Sequence, residues 1–511
     1  MTPNRLLPNM LQEVALRYGD RVAFDSLSEQ ITFSQFFERT RLLAGALDNL
    51  GVKKGHRVSL LAENCTDYIA YHIALGMLGA LLLPLNIRHT TSEMAWMIDN
   101  AESSVLVIDK PLMAHLSELT ARCPSVQFSI AIGSVKGTHY TTDDLVAAKR
   151  HVISPPPIAP QDPALLIYTS GTTGKPKGAL QTHEGICIID ALTAEEWGAT
   201  EQDVYLAFMP YFHQAGLVRT RATMVRGGKN IVAGKMDLDQ MISCLLEQDV
   251  SIAVLPHPYN TRLAKAAARG NFLLPHLRLI IGLGGGGPVV AEYTKTFCER
   301  FDCQFRGVYG QTETMGPVTS VSGDDCFNNP FTCGRPRKGM KVAIWGDNNA
   351  ELPTGRVGEI MVSSKTTIPG YWNNERANRA LYTGEWLHTG DLGKFDEAGF
   401  LYLMGRKKEL IKTGGENVYP KEVEDVLITH PAIEDLTIIG LPDPEGWGEL
   451  VTAVVVFKAG EQLSLEEIKA FCRGRIAGYK IPKALKTVAE LPMNITGKVM
   501  KLELQKRFGE D

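Results

Sequence analysis

Between Tyr168 and Gly178 the chain reads YTSGTTGKPKG, which puts four aliphatic hydroxyls, three glycines and two lysines into eleven residues. Such a set suits the wrapping of anionic oxygens, because amide N–H groups, hydroxyls and ammonium charges can then act on a phosphate from several sides. Thr169, Ser170, Gly171, Thr172, Thr173, Gly174 and Lys175 are expected to contact phosphate. The stretch is not a Walker loop. Pro176 stands where the second glycine of GxxxxGK[ST] belongs, and Pro rather than Ser or Thr follows Lys175. Were the phosphates those of a nucleoside triphosphate, Mg²⁺ would need hard oxygen ligands, and Glu313 in YGQTE (Tyr309 to Glu313) is the candidate. GLGGGGP, Gly282 to Pro288, formally matches GxGxxG after the apolar LRLII, with Asp302 at a distance tolerable for a ribose contact, so an NAD-binding turn is the rival reading. Pro288 at a helix start explains the same glycines as a tight strand-to-helix turn. HExxH, GxSxG and metal-spaced Cys/His clusters are missing, which leaves zinc and serine hydrolysis without support.

These residues need a scaffold, and the chain is long enough for more than one domain at 511 residues. A net charge of −4 with 22% charged residues lacks the basic field of a nucleic-acid binder. Nine cysteines without a CxxC pair, and a start without a basic then apolar leader, point to a reduced, cytoplasmic protein. Residues 68–87 are apolar for nearly the length of a membrane span. His72, Pro84 and two glycines favour a buried helix to about Gly79 and then a short strand, so no integral span is expected. From Gly51 onward turn, strand and helix alternate as in an α/β protein with parallel sheets. The proline-rich linker from Ile153 to Pro163 leads into ALLIYTS, the strand that carries the phosphate loop. Beyond about Asn329 short strands with turn signals predict a small β-barrel-like layer, and after Arg406 alternation resumes in a compact α+β piece.

TSGTTGKPKG, YGQTE, TGD (Thr389 to Asp391), GRKKELIKTGGENVYP from Gly405 and PMNITGKVMK near the end occur in an order that closely resembles the adenylate-forming superfamily, which includes the acyl-CoA synthetases. The resemblance covers nearly the full length. It implies that Tyr309 stacks on adenine beside Gly286 and Gly310, that Thr312 approaches the α-phosphate, and that Asp391 and Arg406 meet the ribose or phosphate. Lys498 matches the adenylation lysine and Lys408 the hinge, which divides the chain into residues 1–406 and a mobile lid, 407–511. Gly414 and Gly415 would leave room for the pantetheine arm of coenzyme A. Gly284, Gly285 and His213 would border the acyl pocket, His213 as gate or orienter. Taken alone, Lys498 reads as a solvated lysine and His213 as a core histidine; the motif order is what gives them roles.

The implied reaction activates a carboxylate with ATP and Mg²⁺, releases pyrophosphate, and passes the acyl group to CoA. Positive charge must lie between an anionic carboxylate and an anionic α-phosphate, and a mobile lysine suits that. Because the thiol must enter where Lys498 stood, the site has to be rebuilt between half-reactions. No carrier domain follows residue 511, so free CoA is favoured over a carrier protein. A fatty acid is the default donor, with aryl or dicarboxylic acids as the alternative; a homodimer is left open. One departure bears on that choice. Where relatives carry small or apolar pocket residues this chain has Arg219, and a buried guanidinium there would ask for a second carboxylate or a polar tail on the substrate.

Overall fold

The computed structural model describes residues 6–133, 135, 137–151, 156–169, 175–255, 259–269, 272–443, 446, 448–493 and 499–509. Two large sheets position the candidate residues. In the first, Phe128–Ile132, Val105–Asp109, Arg57–Leu61, Leu81–Pro84 and Pro163–Thr169 lie side by side and parallel, and Lys177–Thr182 closes the edge antiparallel to Pro163–Thr169. These strands are short apolar runs because helices cover them. One of the helices, Thr66–Met77, is buried all round from Tyr68 to Gly76, as its uninterrupted apolar sequence requires. It stops before Gly79, whose φ of +65° begins the turn into Leu81–Pro84. The apolar stretch thus divides as its sequence predicts, and among the described residues no helix is long and apolar enough to cross a membrane.

The second sheet changes character part-way across. Val22–Asp25, Lys229–Val232, Val204–Ala207, Ile252–Val254, Leu279–Leu283 and Gln304–Gln311 are parallel. Gly316–Ser322 then returns antiparallel to Gln304–Gln311 and reverses the pattern. Thr332–Pro336, Leu401–Arg406, Trp386–Phe395, Gly358–Ser363 and Lys341–Trp345 continue it antiparallel. The β layer expected after Asn329 therefore exists, but it is not separate. Its pairs Thr319 with Pro336 and Ser320 with Arg335 join it to the parallel half, so Tyr309 from one half and Asp391 from the other stand on one continuous sheet.

After Arg406 the hairpin Ile411–Thr413 and Glu416–Val418 leads to helix Pro420–Leu427 and a sheet of Ile433–Pro442, Glu449–Phe457 and Ala484–Thr487. Ile411 and Val418 from the hairpin, Val423 and Leu427 from the helix, and Ile438, Val451, Ala453 and Val455 from the sheet form a core of their own. None of the nine cysteines forms a disulfide, and eight are buried.

Candidate active site

The phosphate-loop residues Ser170, Gly171, Thr172, Thr173 and Gly174 lie outside the described residues, but both ends of the loop are placed. Thr169 ends one strand and pairs with Lys177, which starts the antiparallel one. The loop is a hairpin connection, not a strand-to-helix turn, so any phosphate contact rests on its side chains and amides rather than on a helix dipole. Lys175 Nζ stands 5.7 Å from the Trp96 ring centre, and Lys177 Nζ 5.2 Å from that of Tyr371. The Tyr371 hydroxyl donates to Glu313 Oε1 at 2.9 Å. Glu313 is thereby held beside the loop, and its backbone carbonyl accepts from Ile368 N at 2.9 Å. Thr312 opens the same short 3₁₀ turn, and its carbonyl accepts from Gln181 Nε2 at 3.3 Å.

Tyr309, Asp391 and Arg406 meet as the motif order anticipates. Asp391 and Arg406 are direct cross-strand partners, and Arg406 Nε lies 3.2 Å from Asp391 Oδ1. The Tyr309 hydroxyl donates to Asp391 Oδ2 at 2.8 Å; burial, together with this carboxylate, raises the phenol pKa well above its ordinary value. Gly310 sits at a register shift against Gly316–Ser322, where a Cβ would come within 2.2 Å of the Gly316 carbonyl oxygen, so only glycine lets the strands approach.

The Gly-rich turn follows strand Leu279–Leu283 and feeds helix Gly287–Phe301, with Pro288 in its first turn. Gly284 and Gly285 back onto the chain itself. A Cβ on Gly284 would lie 2.9 Å from Cys333 Cα, and one on Gly285 3.1 Å from Cys333 Sγ; on Gly286 it would meet Val290 at 3.0 Å. Internal packing thus accounts for the glycines. Asp302 caps the other end of this 15-residue helix, about 22 Å away at 1.5 Å per residue, so the NAD reading loses its ribose partner.

His213 is the N-cap of helix Gln214–Met224, and its Nδ1 accepts from Ala215 N at 3.2 Å. Burial, and then the charge of Arg219, pull its pKa down to about 4, which leaves a neutral ring with its proton on Nε2. Arg219, two turns along, is 8% exposed. Its guanidinium donates to the Ala215 carbonyl at 2.8 Å, its Nε has no partner, and among the described residues it makes no ion pair. It lines a cavity of about 10 Å³, one water's worth, with Thr193, Glu196, Trp197, Ile281, Val308 and Arg337, and the Glu196 carboxylate there is taken by Arg337. Ile281 and Val308 lie just below the carboxyl ends of the strands that carry the Gly-rich turn and Tyr309, the side of an α/β sheet where ligands bind. Arg337 is paired with Glu196 at 2.7 Å, and Arg221 is locked to Asp190 at 2.7 and 3.2 Å with both side chains at 0% exposure. Arg219 differs from both in being buried without a counter-charge.

Lys408 lies in the 3₁₀ turn Lys407–Glu409 directly after Arg406. Burial and the charge of Arg406 lower its pKa. Gly414 and Gly415, at φ +57° and +82°, form the two-residue turn of the Ile411–Val418 hairpin, a geometry that by itself calls for glycine. Lys498 lies outside the described residues.

Residues 11–372 match the family model of the AMP-binding enzymes, and residues 422–498 that of the AMP-binding enzyme C-terminal domain. The chain belongs to the AMP-binding enzyme family. Within the family it is similar to the 2-succinylbenzoate–CoA ligase of Bacillus cereus (strain Q1), at 32% identity over 504 residues and 99% of each chain. It also resembles the o-succinylbenzoate CoA synthetase of Bacillus subtilis in complex with its acyl-adenylate intermediate, with a TM-score of 0.82, 28% identity and 98% of both chains covered. A Mycobacterium tuberculosis fatty acyl CoA synthetase gives a TM-score of 0.81 at 27% identity, covering 99% of this chain and 98% of that one.

Members of this family that act as CoA ligases use ATP, Mg²⁺ and CoA, and this chain's residues fit the metal. Glu313 offers a carboxylate whose Oε2 makes no hydrogen bond among the described residues, and those residues hold no cluster of three or more acidic, His or Cys side chains. One carboxylate completed by phosphate oxygens and water is how Mg²⁺ is commonly held in ATP sites, where it neutralises phosphate charge. Sequence reasoning missed Tyr371, Trp96, Glu359 and the Glu196–Arg337 pair. Tyr371 follows a proline-glycine turn that marks a loop but gives no sign of its partner, and the others carry no local signal.

Proposed function

We propose that this family member is an AMP-forming carboxylic acid:CoA ligase whose acid is aryl or dicarboxylic, close in chemistry to 2-succinylbenzoate, rather than a long-chain fatty acid. The observation that carries the choice of acid is Arg219, a buried guanidinium with no ion-pair partner among the described residues, beneath the candidate acyl site. A second carboxylate on the substrate would supply its missing charge, whereas an alkyl tail would leave it buried and unpaired. The fatty-acid default gives way on this ground, and the 2-succinylbenzoate ligases among the relatives support the alternative.

In the first half-reaction a carboxylate oxygen attacks the α-phosphorus and pyrophosphate leaves. Lys498 neutralises charge between the two anions, Thr312 lies against the α-phosphate, and the loop from Thr169 to Lys175 holds the outer phosphates. Tyr309, Asp391 and Arg406 seat the nucleoside. His213 donates from Nε2 to the substrate carboxylate and is no nucleophile. In the second, the CoA thiolate attacks the acyl carbon and AMP departs as a stabilised phosphate monoester. The C-terminal lid turns about Lys408 between the two steps, withdrawing Lys498 and bringing Gly414 and Gly415 to the pantetheine arm.

The test is a panel of acids scored by pyrophosphate exchange and by thioester formation with CoA, comparing aryl dicarboxylates with matched monocarboxylates and fatty acids. Preference for fatty acids would refute the choice of substrate. Full exchange in Lys498→Ala would remove that lysine from the mechanism.

A further inference from the structure

Glu359 is 8% exposed and stands on strand Gly358–Ser363 opposite Leu392 of strand Trp386–Phe395. Two positions on, Met361 stands opposite His388, so the facing strand takes four steps where this one takes two, and Thr389, Gly390 and Asp391 form a bulge. The bulge is pinned from below. Thr389 Oγ1 donates to the Ile360 carbonyl at 2.6 Å, Asp391 N donates to Thr389 Oγ1 at 3.1 Å, and Gly390 N donates to Glu359 Oε1 at 3.1 Å. Gly390 adopts φ +71°, which the bulge demands. The other Glu359 oxygen, Oε2, lies 3.2 Å from Lys407 Nζ and 3.2 Å from His388 Nδ1. Lys407 also reaches Asp347 at 3.2 Å. One buried carboxylate therefore grips both the bulge that aims Asp391 and the residue just before the candidate pivot.

We propose that Glu359 is a positioning residue that couples nucleotide seating to the hinge: Oε1 fixes the Asp391 bulge, and Oε2 ties Lys407 to the sheet so that rotation begins at Lys408. The inference rests on the ATP-dependent reading above and adds a residue that touches neither nucleotide nor acid. A charge-assisted bond from a backbone amide is about twice as strong as a neutral one, so neutralising Glu359 loosens the bulge without removing a ligand. The Lys407 pair is half-exposed and correspondingly weaker.

The full-length protein is assayed for ATP–pyrophosphate exchange and, separately, for CoA-dependent turnover of preformed adenylate. Glu359→Gln is expected to raise KM for ATP about tenfold in exchange while kcat stays within about twofold. Lys407→Met is expected to leave that KM unchanged and to slow the CoA-dependent step about fivefold. Gly390→Ala gives an independent check should Glu359→Gln fail to fold. An added Cβ there meets nothing within 4 Å, so it strains only the bulge and should reproduce the rise in KM for ATP. Wild-type exchange with an unchanged KM in Glu359→Gln and Gly390→Ala overturns this proposal alone, as does a loss of kcat in Gly390→Ala that only follows its loss of folded protein. Absence of exchange in the wild type with every acid overturns the ATP-dependent reading itself.

Discussion

Replacing Arg219 by Met should raise stability and lower activity on one class of acid, two effects of opposite sign from one side chain. In the unliganded enzyme the guanidinium keeps a hydrogen bond to the Ala215 carbonyl at 2.8 Å, has no partner at Nε, and lies near the second cation of Arg337. Burial and that neighbour lower its pKa, the direction expected of a cation held at a cost. Methionine fills much of the same volume without charge. Removal of the buried charge should therefore stabilise the free protein by about 1–3 kcal/mol, discounted from the several kcal/mol of an isolated ion for the bond that is kept. A substrate whose second carboxylate reaches Arg219 would lose a charge-assisted interaction worth about 1.5–3 kcal/mol, roughly 10- to 150-fold in kcat/KM. A matched monocarboxylate should change by less than about threefold. Denaturant midpoints and kcat/KM for the two acids, measured on the same preparations, decide the matter. If Arg219→Met is less stable than wild type, or both acids lose equally, the side chain is structural and the argument for a dicarboxylate fails.

Asp391→Asn should keep an acceptor for the Tyr309 hydroxyl but leave Arg406 without its counter-charge; KM for ATP in pyrophosphate exchange is expected to rise about tenfold. Asp190→Asn should destabilise by about 3–5 kcal/mol by leaving Arg221 buried and unpaired, and Asp190→Leu with Arg221→Met should recover most of that in a denaturant titration. Acid should weaken the fold through His183, whose pKa burial lowers to about 4 and whose ring nitrogens both lack partners among the described residues. The unfolded state binds the proton first, so this stability is complete above about pH 6.5 and is lost as pH falls through 4, a contribution of about 3 kcal/mol. Asp190, raised by burial to about 6, has the opposite slope, present below its ordinary carboxylate pKa of 3.8 and lost as pH rises through 6. The His183 part is therefore read as the difference between wild type and His183→Gln, and equal pH profiles of stability for the two would refute it.

What was legible in the sequence is what short range decides. The phosphate loop declares itself by composition, and its strand could be named because the proline-rich linker before it excludes a helix. The alternation after Gly51 and the split of the apolar stretch at Gly79 follow from periodicity and one left-handed glycine. The continuity of the two halves of the second sheet was not legible, because it depends on pairing Ser320 with Arg335 across an intervening short helix, Gly323–Asn328, after which no local pattern fixes the direction of the chain. Glu359 was hidden for the same reason. Its partners Gly390 and Lys407 are 31 and 48 positions away, and a glutamate that opens a strand looks like any solvated one.

Arg219 is the instructive middle case, since its position was conspicuous and its environment was not. A charge on a helix face is ordinarily exposed, and only the convergence of helix Gln214–Met224 with the strands of Ile281 and Val308 buries it. Reaction class and choice of acid therefore differ in legibility for a physical reason. Charge stabilisation around a triphosphate needs particular groups in contiguous motifs, and these survive as readable strings. Selection of an acid as proposed for Arg219 rests on one polar atom left unsatisfied in an otherwise packed wall, and that is a property of the wall: substitutions at Thr193 or Val308 that let water reach the guanidinium should erode discrimination between mono- and dicarboxylates while leaving Arg219 itself in place.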